Sequence, residues 1–163
     1  MSIRFAIEED LPAINEIYNQ AVDQKYCTAH LLPLSLDEQT NWFMKHEPTR
    51  FPVFVSVLDK EVSAWMSLGP YRIDRQALDH VAEVSYYVEK SRQGEGIGTQ
   101  LLEYAIRKAP DFGFSVLLAI LLGRNQASIG LLEKLKFSCW GSMPGIAKID
   151  DQEVDHLYYG LKL

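Results

Sequence analysis

The chain has 163 residues, 47% of them hydrophobic and 23% charged, a single-domain length with enough apolar material for a real core. Its net charge of −6 argues against a surface built for nucleic acid or anionic membranes, although a few oriented backbone amides can still hold a small anion. The two cysteines, Cys27 and Cys139, are too few for a disulfide framework or a zinc site, and no metal is expected. The start Met1-Ser2-Ile3-Arg4 lacks the form of a signal peptide, and the apolar run Val116–Leu122 is far short of a membrane span. A cytoplasmic location is the expectation.

Residues 3–6 read as a short strand. Asp10 is placed to cap a helix, with Pro12 in the first turn where proline is tolerated. Leu11, Ile14, Ile17, Tyr18 and Ala21 then recur at helical spacing. Ser35-Leu36-Asp37-Glu38 has the form of a capping box and opens a second helix through Trp42-Phe43. Residues 26–34 between these helices, with Cys27, His30 and Pro33, are mixed in character, as a substrate-facing loop would be. Residues 52–58 and 61–68 are β-rich runs around the polar turn Asp59-Lys60 and read as a hairpin. Gly69-Pro70 ends it, and 71–79 is a polar connection. Residues 80–88 form the next strand. A helix follows and ends near Ala109, with Pro110 and Gly113 beyond it. Residues 115–122 read as a strand buried on both faces, and 127–135 as a short helix. Residues 137–140 and 147–149 suggest strand, separated by a Gly/Pro loop, and 154–163 is a final strand. The expected architecture is one α/β domain over residues 1–163, a mixed and mostly antiparallel sheet flanked by about four helices.

The most informative stretch is Gln93-Gly94-Glu95-Gly96-Ile97-Gly98-Thr99, between the strand ending in Tyr86-Tyr87-Val88 and the helix that follows. Glycine-rich turns that open a helix aim their amides at one point, where the helix dipole adds positive charge, and so can hold a diphosphate without lysine. A plain geometric turn is the bland alternative. The Gly-x-Gly-x-Gly spacing departs from the dinucleotide fingerprint, and no Gly-Lys-Ser/Thr follows as in a P-loop.

Gln93-Gly94-Glu95-Gly96-Ile97-Gly98 resembles the Gln/Arg-x-x-Gly-x-Gly/Ala signature of the GNAT acetyltransferases. A second segment, Asn125-Gln126-Ala127-Ser128 through Leu131-Leu132-Glu133-Lys134-Leu135-Lys136-Phe137, is similar to their Asn-x-x-Ser/Ala-x-x-Leu-Tyr-Glu-Lys-Leu-Gly-Phe segment. The start, Ile3-Arg4 with Glu9-Asp10-Leu11-Pro12, together with Trp42-Phe43 and Phe51-Pro52-Val53, looks like the phosphinothricin/amino-acid N-acetyltransferase branch. The resemblance implies the GNAT fold, acetyl-CoA as co-substrate and a small amino-acid-like amine as acceptor. Members of the branch are commonly homodimers, so a homodimer is expected.

The resemblance also implies roles. Tyr86, Tyr87 and Val88 would offer backbone groups to the pantetheine arm, as an added strand would. Gly94, Glu95, Gly96, Ile97, Gly98 and Thr99 would cradle the diphosphate, with the Glu95 side chain turned to solvent. Asn125 would bond the arm near the thioester, and it also suits a helix cap. Glu83 matches the glutamate of the His-x-x-Glu-x-Ser pattern, here His80-Val81-Ala82-Glu83-Val84-Ser85. An ammonium has no lone pair, so a base must deprotonate it, and Glu83 is the candidate; an exposed strand carboxylate is the bland alternative.

Two departures stand out. Leu132 occupies the position where the superfamily often has tyrosine, and this branch histidine, to protonate the leaving thiolate. Leu78-Asp79 stands where many members carry Tyr-Arg, so Arg72 and Arg75 would have to meet a substrate carboxylate near Asp79, which repels one. A non-catalytic acyl-CoA-binding domain, or an acetyltransferase for a polyamine or a peptide N-terminus, remain the alternative readings. His30, His46 and His156 have no metal spacing and read as surface or satisfied residues. Trp42, Phe43, Trp65 and Trp140 read as core or interface.

Overall fold

The structure is a computed structural model that describes all residues, 1–163. Its elements run β1 Ser2–Phe5, α1 Leu11–Asp23, α2 Leu36–Met44, β2 Val53–Leu58, β3 Glu61–Pro70, β4 Val81–Val88, α3 Ile97–Lys108, β5 Val116–Leu122, α4 Gln126–Lys134, β6 Ser138–Ile149 and β7 Gln152–Lys162. The expected element order holds. The strands form one seven-stranded sheet in the order β1-β2-β3-β4-β5-β7-β6. All neighbours are antiparallel except β4 and β5, which α3 joins as a crossover.

Alternation along the strands divides the helices between the two faces. Phe54, Met66, Ala82, Val84, Leu117, Ala119 and Tyr159 turn to one face and form the larger core with Ile97, Leu101 and Leu102 of α3 and Leu132 of α4. Val53, Val55 and Trp65 turn to the other and pack against Ile14, Ile17, Tyr18 and Val22 of α1.

Three local expectations need correction or refinement. Asp10 precedes α1 but makes no side-chain capping bond to it. Its carboxylate instead accepts from the Ile7 amide at 2.9 Å and from both terminal nitrogens of Arg4 at 2.6 and 2.8 Å. A full guanidinium charge outcompetes helix amides for a buried carboxylate. Residues 137–149 are not two strands around a loop. β6 is continuous to Ile149, with register shifts between Cys139 and Gly141 and between Met143 and Ala147 that absorb the Gly/Pro segment as bulges. β3 runs on through Gly69 to Pro70, at a strand end where proline is permitted. The Ser35 capping box forms as read: Ser35 Oγ accepts from the Glu38 amide, and Glu38 accepts from the Ser35 amide at 2.8 Å.

The parallel pairing of β4 and β5 is short. It joins Val81 to Val116, Ala82 to Leu117 and Glu83 to Leu118, and then stops. β4 continues to Val88 and β5 to Leu122, so the two strands splay beyond Glu83. The edge of β4 facing the gap has no strand partner there, and this fork in mid-sheet positions the site.

Candidate active site

Two cavities open at the fork. The first, about 450 Å³, runs along β4 from Val84 to Val88, past Ala119, Ile120 and Leu121 of β5, to the start of α3 and the inner side of α4. Gln93, Gly94, Gly96, Ile97, Gly98 and Thr99 line one end of it, and Asn125, Ser128 and Leu131 line its α4 side. Gly94 and Gly96 have φ of +84° and +83°, a region that glycine enters without strain. The amides of Ile97, Gly98 and Thr99 have no acceptor within the protein, and no side chain caps α3. They form an open donor nest at the positive end of a twelve-residue helix. A Cβ at Gly98 would lie 3.1 Å from Leu131 Cδ2, so glycine there lets α3 and α4 approach. These features fit a diphosphate at the turn. Arg92 and Lys134 also line the cleft, with Arg92 held by Asp59 at 3.4 Å and Glu95 at 3.9 Å. Glu95 itself does not line it.

The second cavity, about 570 Å³, lies on the opposite face under the 26–34 loop. Its floor is Trp65 and Ser67 of β3, Glu83, Ser85 and Tyr87 of β4, Ile120 and Leu122 of β5, and His156 of β7. Tyr18, Gln39 and Trp42 wall it from the helices, and Cys27, Thr28 and His30 cover it. Cys27, Ser85, Tyr87, Ile120 and Leu121 line both cavities, so the two meet at the fork. The covering loop is pinned where it rejoins the helices: Asn19 Oδ1 accepts from the Leu34 amide at 2.8 Å, and Asn19 Nδ2 donates to the Leu34 carbonyl at 2.9 Å. Tyr26 is tied by Arg124, which donates to its hydroxyl at 3.0 Å.

Glu83 stands at the fork, the last residue of β4 paired with β5. Its carboxylate has no hydrogen-bond or ion-pair partner in the protein, and burial pushes its pKa up from the ordinary glutamate value. A half-buried, unpartnered carboxylate that faces a cavity is equipped to take up a proton.

Tyr87 packs edge-on to Tyr18, ring centroids 5.0 Å apart, and burial raises the pKa of both. The Tyr86 hydroxyl is buried without a partner, and burial pushes its pKa up to about 12. Burial also raises the Cys27 thiol, which disfavours the thiolate an acyl-enzyme would require.

This fork, donor nest and pair of joined cavities accompany a clear set of likenesses. Residues 14–137 match the Acetyltransferase (GNAT) family. The chain belongs to the GNAT acetyltransferase family. It is 34% identical over 163 residues to the L-amino acid N-acyltransferase MnaT of Escherichia coli (strain K12), covering 100% of this chain and 94% of that one. It is 33% identical, over 99% of this chain and 94% of the other, to the L-methionine sulfoximine/L-methionine sulfone acetyltransferase of Pseudomonas aeruginosa PAO1. The solved GNAT superfamily phosphinothricin acetyltransferase (Pat) from Sinorhizobium meliloti in complex with AcCoA superimposes with a TM-score of 0.93, at 26% identity, over 99% of this chain and 88% of that one. The expected fold, the amino-acid branch and N-acetyltransferase activity are therefore in place.

Within this acetyltransferase, Tyr86, Tyr87, Val88, Gly94, Gly96, Ile97, Gly98, Thr99 and Asn125 all lie along the first cavity. Asn125 also caps α4, its Oδ1 accepting from the Ser128 amide at 3.1 Å. Arg72, Arg75 and Asp79 lie on the exposed β3–β4 connection and line neither cavity. Arg72 covers the Tyr71 ring at 5.6 Å, Arg75 donates to the Asp74 carbonyl at 3.0 Å, and the Asp79 carbonyl accepts from Arg50. Leu132 is packed into the core at 1% exposure, so α4 offers the leaving group no donor at this position.

Sequence reasoning passed over Tyr18, Gln39, His30 and His156 as site residues. Only periodicity spoke for Tyr18, which read as part of a helix's apolar face, and nothing singled out Gln39. The histidines gave no signal, because the cavity gathers them from a loop and from β7, 126 positions apart in the numbering. His46, by contrast, is satisfied as expected, its Nδ1 lying 2.9 Å from the Trp42 carbonyl. No helix is long and apolar enough to cross a membrane.

Proposed function

We propose that this acetyltransferase transfers the acetyl group of acetyl-CoA to the amine of a small amino-acid-like acceptor, of the phosphinothricin or methionine sulfoximine type. The observation that carries the reading is the fork at Glu83. There a cleft with an open nest of backbone amides meets a second cavity whose one carboxylate is unpartnered and pushed up in pKa by burial. The names of the relatives support the acceptor class.

Acetyl-CoA supplies an acetyl group activated as a thioester. In the proposed site the amides of 96–99 hold its diphosphate, and the glycines let the backbone approach the oxygens. The free edge of β4 at Tyr86, Tyr87 and Val88 bonds the pantetheine arm as a neighbouring strand would, with Asn125 opposite. Glu83 takes the proton from the acceptor ammonium, which exposes the nitrogen lone pair. Its raised pKa keeps it basic enough for this at neutral pH without requiring a second base. A β4 amide beyond the fork holds the developing oxyanion. The thiolate takes its proton from a group other than Leu132. The protein acts in the cytoplasm as a homodimer.

Thiol release from acetyl-CoA across a panel of amino acids and simple amines tests the proposal. Turnover with amino-acid acceptors is expected. Tight binding of acetyl-CoA with no transfer to any amine would overturn it in favour of a binding domain.

A further inference from the structure

An amino-acid-like acceptor carries more than its amine, and the rest of it must be recognised. The acceptor cavity is unusual in its charge. No arginine or lysine lines it, and Glu83 is its one carboxylate. Arg72 and Arg75 lie outside it, and Arg124, above the covering loop, is engaged by Tyr26 and Gln152. The cation-capable groups that face the cavity are two imidazoles, His30 and His156.

His156 is far from the fork. His156 is level with Leu122 on β5, whereas Glu83 is level with Leu118. Four residues at about 3.3 Å each, and two strand spacings of about 4.8 Å, place the Glu83 and His156 Cα atoms on the order of 15 Å apart. After both side chains reach inward, several ångströms remain. That gap is too long for His156 to hold the α-carboxylate of an acceptor whose α-amine is at Glu83. It suits the tip of the acceptor's side chain.

Both rings are free to donate there. The His156 ring has no hydrogen bond within the protein, and it rests against the Tyr158 ring with centroids 5.3 Å apart. His30 is held through Nδ1 by the Tyr18 hydroxyl, which also meets Thr28 Oγ1 at 2.8 Å. When Nδ1 accepts the Tyr18 proton, Nε2 carries the ring hydrogen and becomes a donor. The cavity thus has a proton-accepting end at Glu83 and a donor end at His156, and His30 adds a second donor to its lining.

We propose that His156, with His30, is the specificity-determining subsite that reads hydrogen-bond-accepting oxygens at the side-chain tip of the acceptor. The chemistry is that of a sulfone, phosphinate or distal carboxylate. A thioether or alkyl tip displaces water from these donors and offers no acceptor in its place, and that loss is the source of discrimination. The inference rests on the amino-acid reading of the acceptor given above.

Steady-state kinetics with paired acceptors tests it: methionine sulfone against methionine, and glutamate against norleucine. The wild type is expected to favour the oxygen-tipped member of each pair. His156→Phe keeps a ring and removes the donors, so the ratio of KM values within each pair should shift by about tenfold or more against the oxygen tip, as for loss of one strong hydrogen bond. His156→Gln restores a donor and should recover most of the ratio, and His30→Phe should shift it in the same direction. Circular dichroism establishes that each variant is folded. Equal use of both members by the wild type, or a His156→Phe effect of the same size on both, overturns the subsite. Failure to acetylate any amino acid would instead overturn the acceptor class itself.

Discussion

Glu83 is a residue that folding alone would not favour. A carboxyl group whose folded pKa is raised contributes its full stability below the unfolded pKa and loses it as pH rises through the folded one. At neutral pH the ionised, unpartnered carboxylate therefore costs stability. Glu83→Gln is expected to melt at a slightly higher temperature than wild type while losing about 10²- to 10⁴-fold in kcat, the usual worth of a general base. Thermal melts and thiol release read the two effects on one sample. Full activity in the variant would remove Glu83 from the mechanism. In the wild type, kcat/KM should fall on the acid side with an apparent pKa above the ordinary glutamate value of 4.5, and that limb should vanish in Glu83→Gln. Asp10 has the opposite sign. Burial would raise its pKa, but the bonds from Arg4 and the Ile7 amide outweigh this and lower it. Its contribution to stability is present above the ordinary carboxylate range and lost as pH falls through the lowered value. Asp10→Asn should cost on the order of 1–3 kcal/mol at neutral pH in denaturant titrations, with the difference narrowing in acid.

At the level of elements, the two helix starts that matter are built by different means. α2 begins with a complete capping box at Ser35 and Glu38, written locally and readable from four residues. Ser35→Ala should cost about 1 kcal/mol, visible as a shift of the urea midpoint at constant slope. α3 begins uncapped, at Gly96 in the left-handed region, because its free amides face the cleft. Gly96→Ala forces a side chain into that region and should cost roughly 1–2 kcal/mol. A Cβ there meets nothing within 4 Å, so the penalty is conformational. Calorimetry should show weaker acetyl-CoA binding in this variant than in Ser35→Ala, whose cap is remote from the cleft. Unchanged affinity in Gly96→Ala would argue that the turn does not hold the diphosphate. The β6 bulges show the reverse case: Gly and Pro in 141–145 read locally as a loop, but pairing with β7 carries the strand through them.

The whole molecule is a seven-stranded sheet with a helix pair on each face, opened in the middle because β4 and β5 pair over three residues only. Splaying two strands leaves backbone groups unpaired, a cost that a bound ligand edge can offset. Acetyl-CoA should therefore raise the melting temperature in a concentration-dependent way. The proposed self-association belongs to this scale too. Trp140, Met143 and Ile146 are exposed on the edge strand β6, a surface that favours pairing with a second copy. Light scattering should give twice the mass of one chain. A monomer at micromolar concentration would refute the homodimer.

What the sequence determined by itself was whatever short spacing can encode. The element order, the capping box, the glycine turn with its following helix, and Glu83 two residues before Ser85 all lie within a few positions of their own context. What only the tertiary structure decided was which distant residues share a cavity. The arginines of the β3–β4 connection, near Glu83 in sequence, lie outside both cavities, while His30 and His156 arrive from a loop and a late strand to line the same cavity as Glu83. The physical reason is register. The β5–β7 pairing, set along the whole length of both strands, fixes His156 level with Leu122, and no local motif records that level.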